Sequence, residues 1–333
     1  MPGAAGPWHP PASQSRAGPA QWGMIARLMF LFVLLAAIPV RADPIAAGPL
    51  QGTLLTAGPD APAVLIIPGS GPTDRDGNNA LGIRAAPYRL LAEGLAAQGI
   101  ATVRIDKRGM FASKAAATDA DAVTIADYAA DTHAWIAVMR DRLGLACVWL
   151  AGHSEGGLIA LVAAQRPDGI CGLILIAAAG RKLGTVLRDQ LRANPANAPL
   201  LDQAMAAIDS LEAGRRVDAA GMHRALLGLF RPSVQGFMIS AMSYDPAALL
   251  RGWHGPALIV QGENDLQVGV ADARALAAAD PHATLVLLPG VNHVLKEVAA
   301  GDPAANRAAY ADPDLPLAPG IVPAIAAMVK VPR

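Results

Sequence analysis

From residue 63 onward, short runs of consecutive apolar residues alternate with longer stretches in which apolar residues recur at spacings of three and four. The short runs, residues 63–67, 101–105, 147–151, 173–177, 257–260 and 285–288, are rich in Ala, Val, Ile and Leu, which predicts strands covered on both faces. The longer stretches, residues 84–97, 124–143, 157–165, 268–279 and 322–329, carry one apolar face each and predict helices. Strands and helices in alternation make an α/β chain with a mostly parallel central sheet flanked by helices.

The alternation stops between residues 181 and 253, where no strand pattern occurs. Leu187, Leu191, Met205, Ile208, Leu211, Leu226, Phe230 and Met238 give this stretch apolar faces, and Pro195, Pro199 and Pro232 punctuate it. It predicts a helical cap inserted between late strands and set over the active site, with packing on the flank of the sheet as the competing arrangement.

The longest apolar run stands apart from this pattern, at residues 28–40, with Arg27 before it and Arg41-Ala42-Asp43 after it. A charged start, an apolar centre and small residues at the end predict an export signal cleaved after Ala42. Its thirteen residues fall short of the about 20 that span a bilayer, so no stable membrane anchor is expected. Residues 1–23 are rich in Pro, Gly and Ala without periodicity, and Met24 is the expected true start of translation. Residues 1–42 are thus an extension and signal, residues 43–333 the folded part, and the product is periplasmic or extracellular.

Composition narrows the ligand. Hydrophobic residues make up 53% of the chain and charged residues 16%, enough to build a large core and incompatible with a disordered chain. Lys plus Arg balance Asp plus Glu at 27 each, with no long basic run, so no nucleic acid partner is expected. A small, weakly charged molecule is the expected ligand. Cys147 and Cys171 each start a predicted strand. They form a disulfide if those strands are neighbours in an oxidising compartment, or stand as two buried thiols; the sequence leaves both open.

The candidate chemistry begins where the strand at 147–151 ends in Gly152-His153-Ser154-Glu155-Gly156-Gly157 and a helix follows at once. A serine on a sharp strand-to-helix turn projects its hydroxyl outwards, and the turn needs neighbours without side-chain bulk. Such a hydroxyl requires a base, and the base an orienting carboxylate. Asp265 follows the strand at 257–260, with Glu263 as the fallback acid, and His293 follows the strand at 285–288. Both stand on loops at strand carboxyl ends, where catalytic groups of open sheets gather. Asp265 has a second possible task, capping the helix from 268. Backbone N–H groups of Ser70 and Glu155 are the expected oxyanion donors. Pro68 and Pro72 in the same loop cannot donate, and the loop lacks the lysine spacing of a phosphate cradle. Asp74 and Asp76 are expected to fold it through turn hydrogen bonds.

Pro68-Gly69-Ser70-Gly71-Pro72-Thr73-Asp74-Arg75-Asp76-Gly77-Asn78, Asp106-Lys107-Arg108-Gly109, Gly152 to Gly157, Tyr244-Asp245-Pro246, Gly262-Glu263-Asn264-Asp265 and Asn292-His293 together resemble the bacterial esterase and serine aminopeptidase-like group of the α/β-hydrolase superfamily. The resemblance runs from about residue 63 to residue 329. It implies the α/β-hydrolase fold and acyl transfer to water through an acyl-enzyme on Ser154, with no metal or organic cofactor. The expected substrate is a small-molecule carboxylic ester with a small to medium acyl group. An aminopeptidase or amidase using the same three residues is the alternative, with Glu155, Asp202 or Glu212 as acids for a free amino terminus; a non-catalytic binding protein on the fold is a third. Two departures are visible. Phe111 stands where the similar turn D-x-R-G-x-G-x-S has its second glycine, which predicts a reshaped loop, and Pro68-Gly69 replaces the common His-Gly pair.

Overall fold

The structure, a computed structural model, describes residues 42–331 together with Gly3 and Gly6. The expected signal, its cleavage region up to Arg41 and the start at Met24 lie outside the described residues.

Eight strands form one sheet: β1 (Ala42–Ala47), β2 (Leu50–Leu55), β3 (Ala63–Ile67), β4 (Ala101–Ile105), β5 (Val148–His153), β6 (Ile170–Ile176), β7 (Ala257–Gly262) and β8 (Thr284–Leu288). Their spatial order is β1-β2-β4-β3-β5-β6-β7-β8. From β4 to β8 all pairings are parallel, and β1 and β2 add an antiparallel edge. The sequence pattern did not predict β1 and β2. They are six-residue segments whose apolar residues are interrupted by Asp43 and Pro44 in β1 and by Gln51, Gly52 and Thr53 in β2, paired through the two-residue turn Gly48-Pro49 with Gly48 at φ 61°.

The helices are α1 (Pro87–Ala97), α2 (Ile125–Leu143), α3 (Glu155–Ala163), α4 (Leu183–Ala193), α5 (Leu201–Glu212), α6 (Leu227–Phe230), α7 (Pro232–Met242), α8 (Pro246–Arg251), α9 (Val270–Ala279), α10 (Pro303–Ala308) and α11 (Ile321–Val329). Alternate strand residues enter opposite cores. Leu65, Leu150, Leu173 and Leu175 pack with residues of α2, α3 and α9, while Val64, Ile66, Trp149, Ile174 and Ile176 pack with residues of α1 and α11. Burial on both faces explains why these strands read as unbroken apolar runs.

The 181–253 insertion is helical, α4 to α8, with its own core of Leu187, Leu191, Ile208, Leu211, Phe230 and Met238. Several bonds fix its position, among them the ion pair of Arg181 with buried Asp272 of α9 at 2.8 Å. Gln190 of α4 donates to the Gln267 carbonyl at 2.6 Å, beside the Asp265 loop, and Ser240 of α7 accepts from the Ile125 N–H at the start of α2.

Cys147 and Cys171 form a disulfide, with Cα atoms 5.1 Å apart. The β5–β6 pairing brings them together, which the sequence left open. Phe111 takes a left-handed φ of 44° and is 46% exposed, so the bulky residue holds the conformation that a glycine would take without strain.

Candidate active site

Strand β5 ends inside the sheet and α3 starts one residue later, which leaves Ser154 alone to reverse the chain. Its backbone lies at φ 54°, ψ −119°, a region costly for any residue with a side chain. The neighbouring glycines are required by contact. A Cβ on Gly152 would lie 2.2 Å from the Gly156 carbonyl oxygen, one on Gly156 2.2 Å from the Ile67 carbonyl oxygen, and one on Gly157 2.4 Å from the Ala178 methyl. The Ser154 hydroxyl makes no hydrogen bond among the described residues.

Asp265 follows β7 and His293 follows β8, and His293 Nδ1 donates to Asp265 Oδ2 at 2.7 Å. The carboxylate is fully engaged: Oδ1 accepts from the Gln267 and Val268 N–H groups, and Gln261 Nε2 lies 3.3 Å from Oδ2. Burial opposes its charge, but the His293 charge and hydrogen bond, with the two backbone donors, outweigh burial and hold its pKa below the ordinary carboxylate value. Asp265 therefore stabilises the turn before α9 and holds the imidazole at once, whereas Gly269 is the residue at the N-cap of that helix. Glu263, the fallback acid, is exposed. With Nδ1 committed, the Nε2 edge of His293 is left to serve as a base.

His293 reaches the serine turn through its backbone. Its carbonyl accepts from His153 Nε2 at 2.8 Å, and the two rings lie 4.8 Å apart between centroids. His153 is the residue before Ser154.

The loop after β3 closes the other side. A Cβ on Gly69 would lie 3.3 Å from Ser154 Cβ and 3.2 Å from His153 Nδ1, so the loop passes directly against the serine. The Gly69 N–H is spent on the Tyr88 hydroxyl at 2.9 Å. The N–H groups of Ser70 and of Glu155, the first residue of α3, donate to no acceptor among the described residues, and Ser70 is exposed. Asp74 folds the loop as expected, accepting from the Asp76 and Asn78 N–H groups. The Asp76 side chain departs from expectation. It pairs with buried Arg104 of β4 rather than with a turn N–H.

Three residues that sequence reasoning did not single out for the site organise this region. Tyr88 Oη lies 2.9 Å from His153 Nδ1. Burial pushes the Tyr88 hydroxyl well above its ordinary value, so it stays protonated. Burial, and then the neighbouring His293, hold His153 down to about 3, so its ring stays neutral. Lys107, 3% exposed, donates to the Gly69 carbonyl at 2.7 Å and to Glu155 Oε1 at 2.8 Å. Its sequence signal was present: a lysine within Asp106-Lys107-Arg108-Gly109, directly after an apolar strand. Asp106 secures that turn, accepting from the Arg75 N–H and, at 2.5 Å, from the Arg75 guanidinium.

Esterase EstD of Thermotoga maritima is 30% identical over 135 residues, a stretch covering 39% of this chain and 30% of that protein. The chain thus aligns with less than a third of its relative's length. Among solved structures, Est1E from Butyrivibrio proteoclasticus with bound ferulic acid superposes with a TM-score of 0.52 at 18% identity, covering 81% of this chain and 96% of that one. VinJ superposes with a TM-score of 0.50 at 19% identity, over 76% of this chain and 92% of its own. At such identity these likenesses concern the fold alone. A family model described as serine aminopeptidase, S33, matches residues 81–297, more than half of the chain, from the loop before α1 to just beyond His293. The chain belongs to that family of the α/β-hydrolase superfamily.

Proposed function

We propose that the protein hydrolyses carboxylic esters of small to medium acyl groups through an acyl-enzyme on Ser154. The observation that carries this reading is the left-handed Ser154 at the head of α3, with the hydrogen-bonded pair Asp265–His293 against the same turn. His293 Nε2 takes the hydroxyl proton as Ser154 Oγ attacks the ester carbonyl. The carbonyl oxygen becomes an oxyanion facing the Ser70 and Glu155 N–H groups. The C–O bond to the alcohol breaks, and the alkoxide leaves with the proton from His293. Water then attacks the acyl-enzyme, gives its proton to His293, and the acid is released as Ser154 regains its hydrogen. Hydrogen bonds to serine in ligand-free hydrolases are often long and tighten only with substrate.

The aminopeptidase reading needs a carboxylate that can receive an ammonium group. Glu155 is taken by Lys107, Glu212 is taken by Arg188 at 2.7 Å, and Asp202 is exposed on α5. An uncharged acyl group fits these surroundings better. The helical insertion, tied to the Asp265 loop through Gln190, is the part that covers the substrate in this reading. Export to the periplasm or medium is part of this reading, supported by the apolar run at 28–40 and by the Cys147–Cys171 disulfide. No helix among the described residues is long and apolar enough to cross a membrane.

Turnover of short-chain p-nitrophenyl esters set beside aminoacyl-anilides tests the reading. Ester turnover that vanishes in Ser154→Ala is the expected result. Wild-type rates in that variant, or anilide turnover exceeding ester turnover, would reject it.

A further inference from the structure

We propose that Lys107 is a positioning residue that clamps both halves of the oxyanion hole, setting the Ser70 and Glu155 N–H groups from behind. The inference rests on the serine hydrolase reading above and adds a residue outside the Ser154, Asp265 and His293 set.

The geometry is that of a peptide plane held at its far end. The Gly69 carbonyl and the Ser70 N–H belong to one trans peptide unit, so they point in opposite directions. Lys107 Nζ, buried beneath the loop, takes the carbonyl at 2.7 Å. The Ser70 N–H is thereby turned away from the lysine. The preceding peptide plane is pinned separately, because the Gly69 N–H is held by Tyr88 Oη. A glycine between two fixed planes has lost the freedom that glycine otherwise brings.

The same ammonium holds the second donor. Glu155 supplies its N–H as the first residue of α3 and its carboxylate to Lys107 at 2.8 Å. One charged group therefore bridges a loop and a helix that are 86 positions apart at Gly69 and Glu155. A lysine offers three donor directions: two are spent on these bonds, and the Tyr128 ring lies 5.1 Å from Nζ. A buried ammonium is costly unless paired and bonded. Lys107 meets that condition through the two groups whose backbones frame the hole. The 2% and 12% side-chain exposures of Lys107 and Glu155 keep water from loosening the bridge.

The role is separable from simple structural support, because only the tetrahedral species carries the oxyanion. The double variant Lys107→Met with Glu155→Gln removes both charges, leaving neither orphaned. With fold checked by circular dichroism and melting temperature, kcat for a p-nitrophenyl ester is expected to fall about 10- to 100-fold with KM within about threefold. Affinity for a boronic acid, which forms a tetrahedral adduct on serine, is expected to weaken by the same factor. Lys107→Arg keeps the charge, displaces the donor atoms, and is expected to show the same split with a loss of about tenfold. A folded variant of either kind with wild-type kcat and boronic acid affinity would overturn the clamp, as would a rise in KM alone. Fluorophosphonate labelling of the wild type separates the two levels: a labelled wild type beside unaffected variants defeats only the clamp, and an unlabelled, ester-inert wild type defeats the hydrolase reading and the clamp with it.

Discussion

His153 Nε2 donates to the carbonyl of His293 at 2.8 Å, which fixes the protonation of a whole buried chain. A carbonyl only accepts, so Nε2 carries the hydrogen; the neutral ring then leaves Nδ1 as an acceptor. Tyr88 must therefore donate to Nδ1 and accept from the Gly69 N–H. The loop after β3, the serine turn and the loop after β8 are joined through one polarised line of hydrogen bonds.

This line predicts a pH dependence of stability. The folded state holds His153 neutral down to about pH 3, while an unfolded histidine protonates near pH 6.5. As pH falls through that window the unfolded state binds the extra proton. Stability is therefore lost as pH falls, by up to about 1.4 kcal/mol per pH unit from this residue. Urea titrations at pH 7 and pH 5 are expected to show the loss in the wild type and a flatter dependence in His153→Gln. An equal slope in both would assign the acid sensitivity elsewhere.

Ser154 stores strain at the turn. Ser154→Gly removes the side chain from φ 54°, and the relief, about 1–3 kcal/mol, exceeds the added freedom of the unfolded glycine, about 0.5–1 kcal/mol. The variant is expected to melt about 1–3 °C higher while losing ester turnover. A lower melting temperature by calorimetry would show that the turn is not strained.

Asp265 acts on the tautomer of His293. In Asp265→Asn the Gln267 and Val268 N–H groups keep an acceptor, but the group at 2.7 Å from His293 Nδ1 becomes neutral and can present an amide donor. We expect kcat to fall by about three to four orders of magnitude, with KM and melting temperature little changed. A loss below tenfold in steady-state kinetics would remove Asp265 from the mechanism.

The Cys147–Cys171 bridge closes a loop with a sequence separation of 24. Chain entropy gives it a contribution of about 3 kcal/mol. Replacing both cysteines with alanine is expected to lower stability by that order in denaturant titration, and denatured, non-reduced wild type is expected to show no free thiol. Two reactive thiols would contradict the pairing.

The sequence alone determined the strands buried on both faces, because a strand covered on each side is mostly apolar, and Ala63–Ile67 and Ala101–Ile105 match the predicted runs residue for residue, although β4 also buries Thr102 and Arg104. It determined the serine turn, because Gly152, Gly156 and Gly157 are the residues that such contact permits, and it placed Asp265 and His293 on loops after strands. The antiparallel strands β1 and β2 were hidden, since neither has an apolar run along its whole length to display. The buried polar line and the partners of Lys107 were decided by tertiary structure: Tyr88, Lys107 and His153 lie on three separate segments, and although Asp106-Lys107-Arg108-Gly109 is a visible motif, no local pattern names a partner 38 or 65 positions away. Only the closed fold brings those groups out of water together, and there their mutual hydrogen bonds replace the solvent they lose.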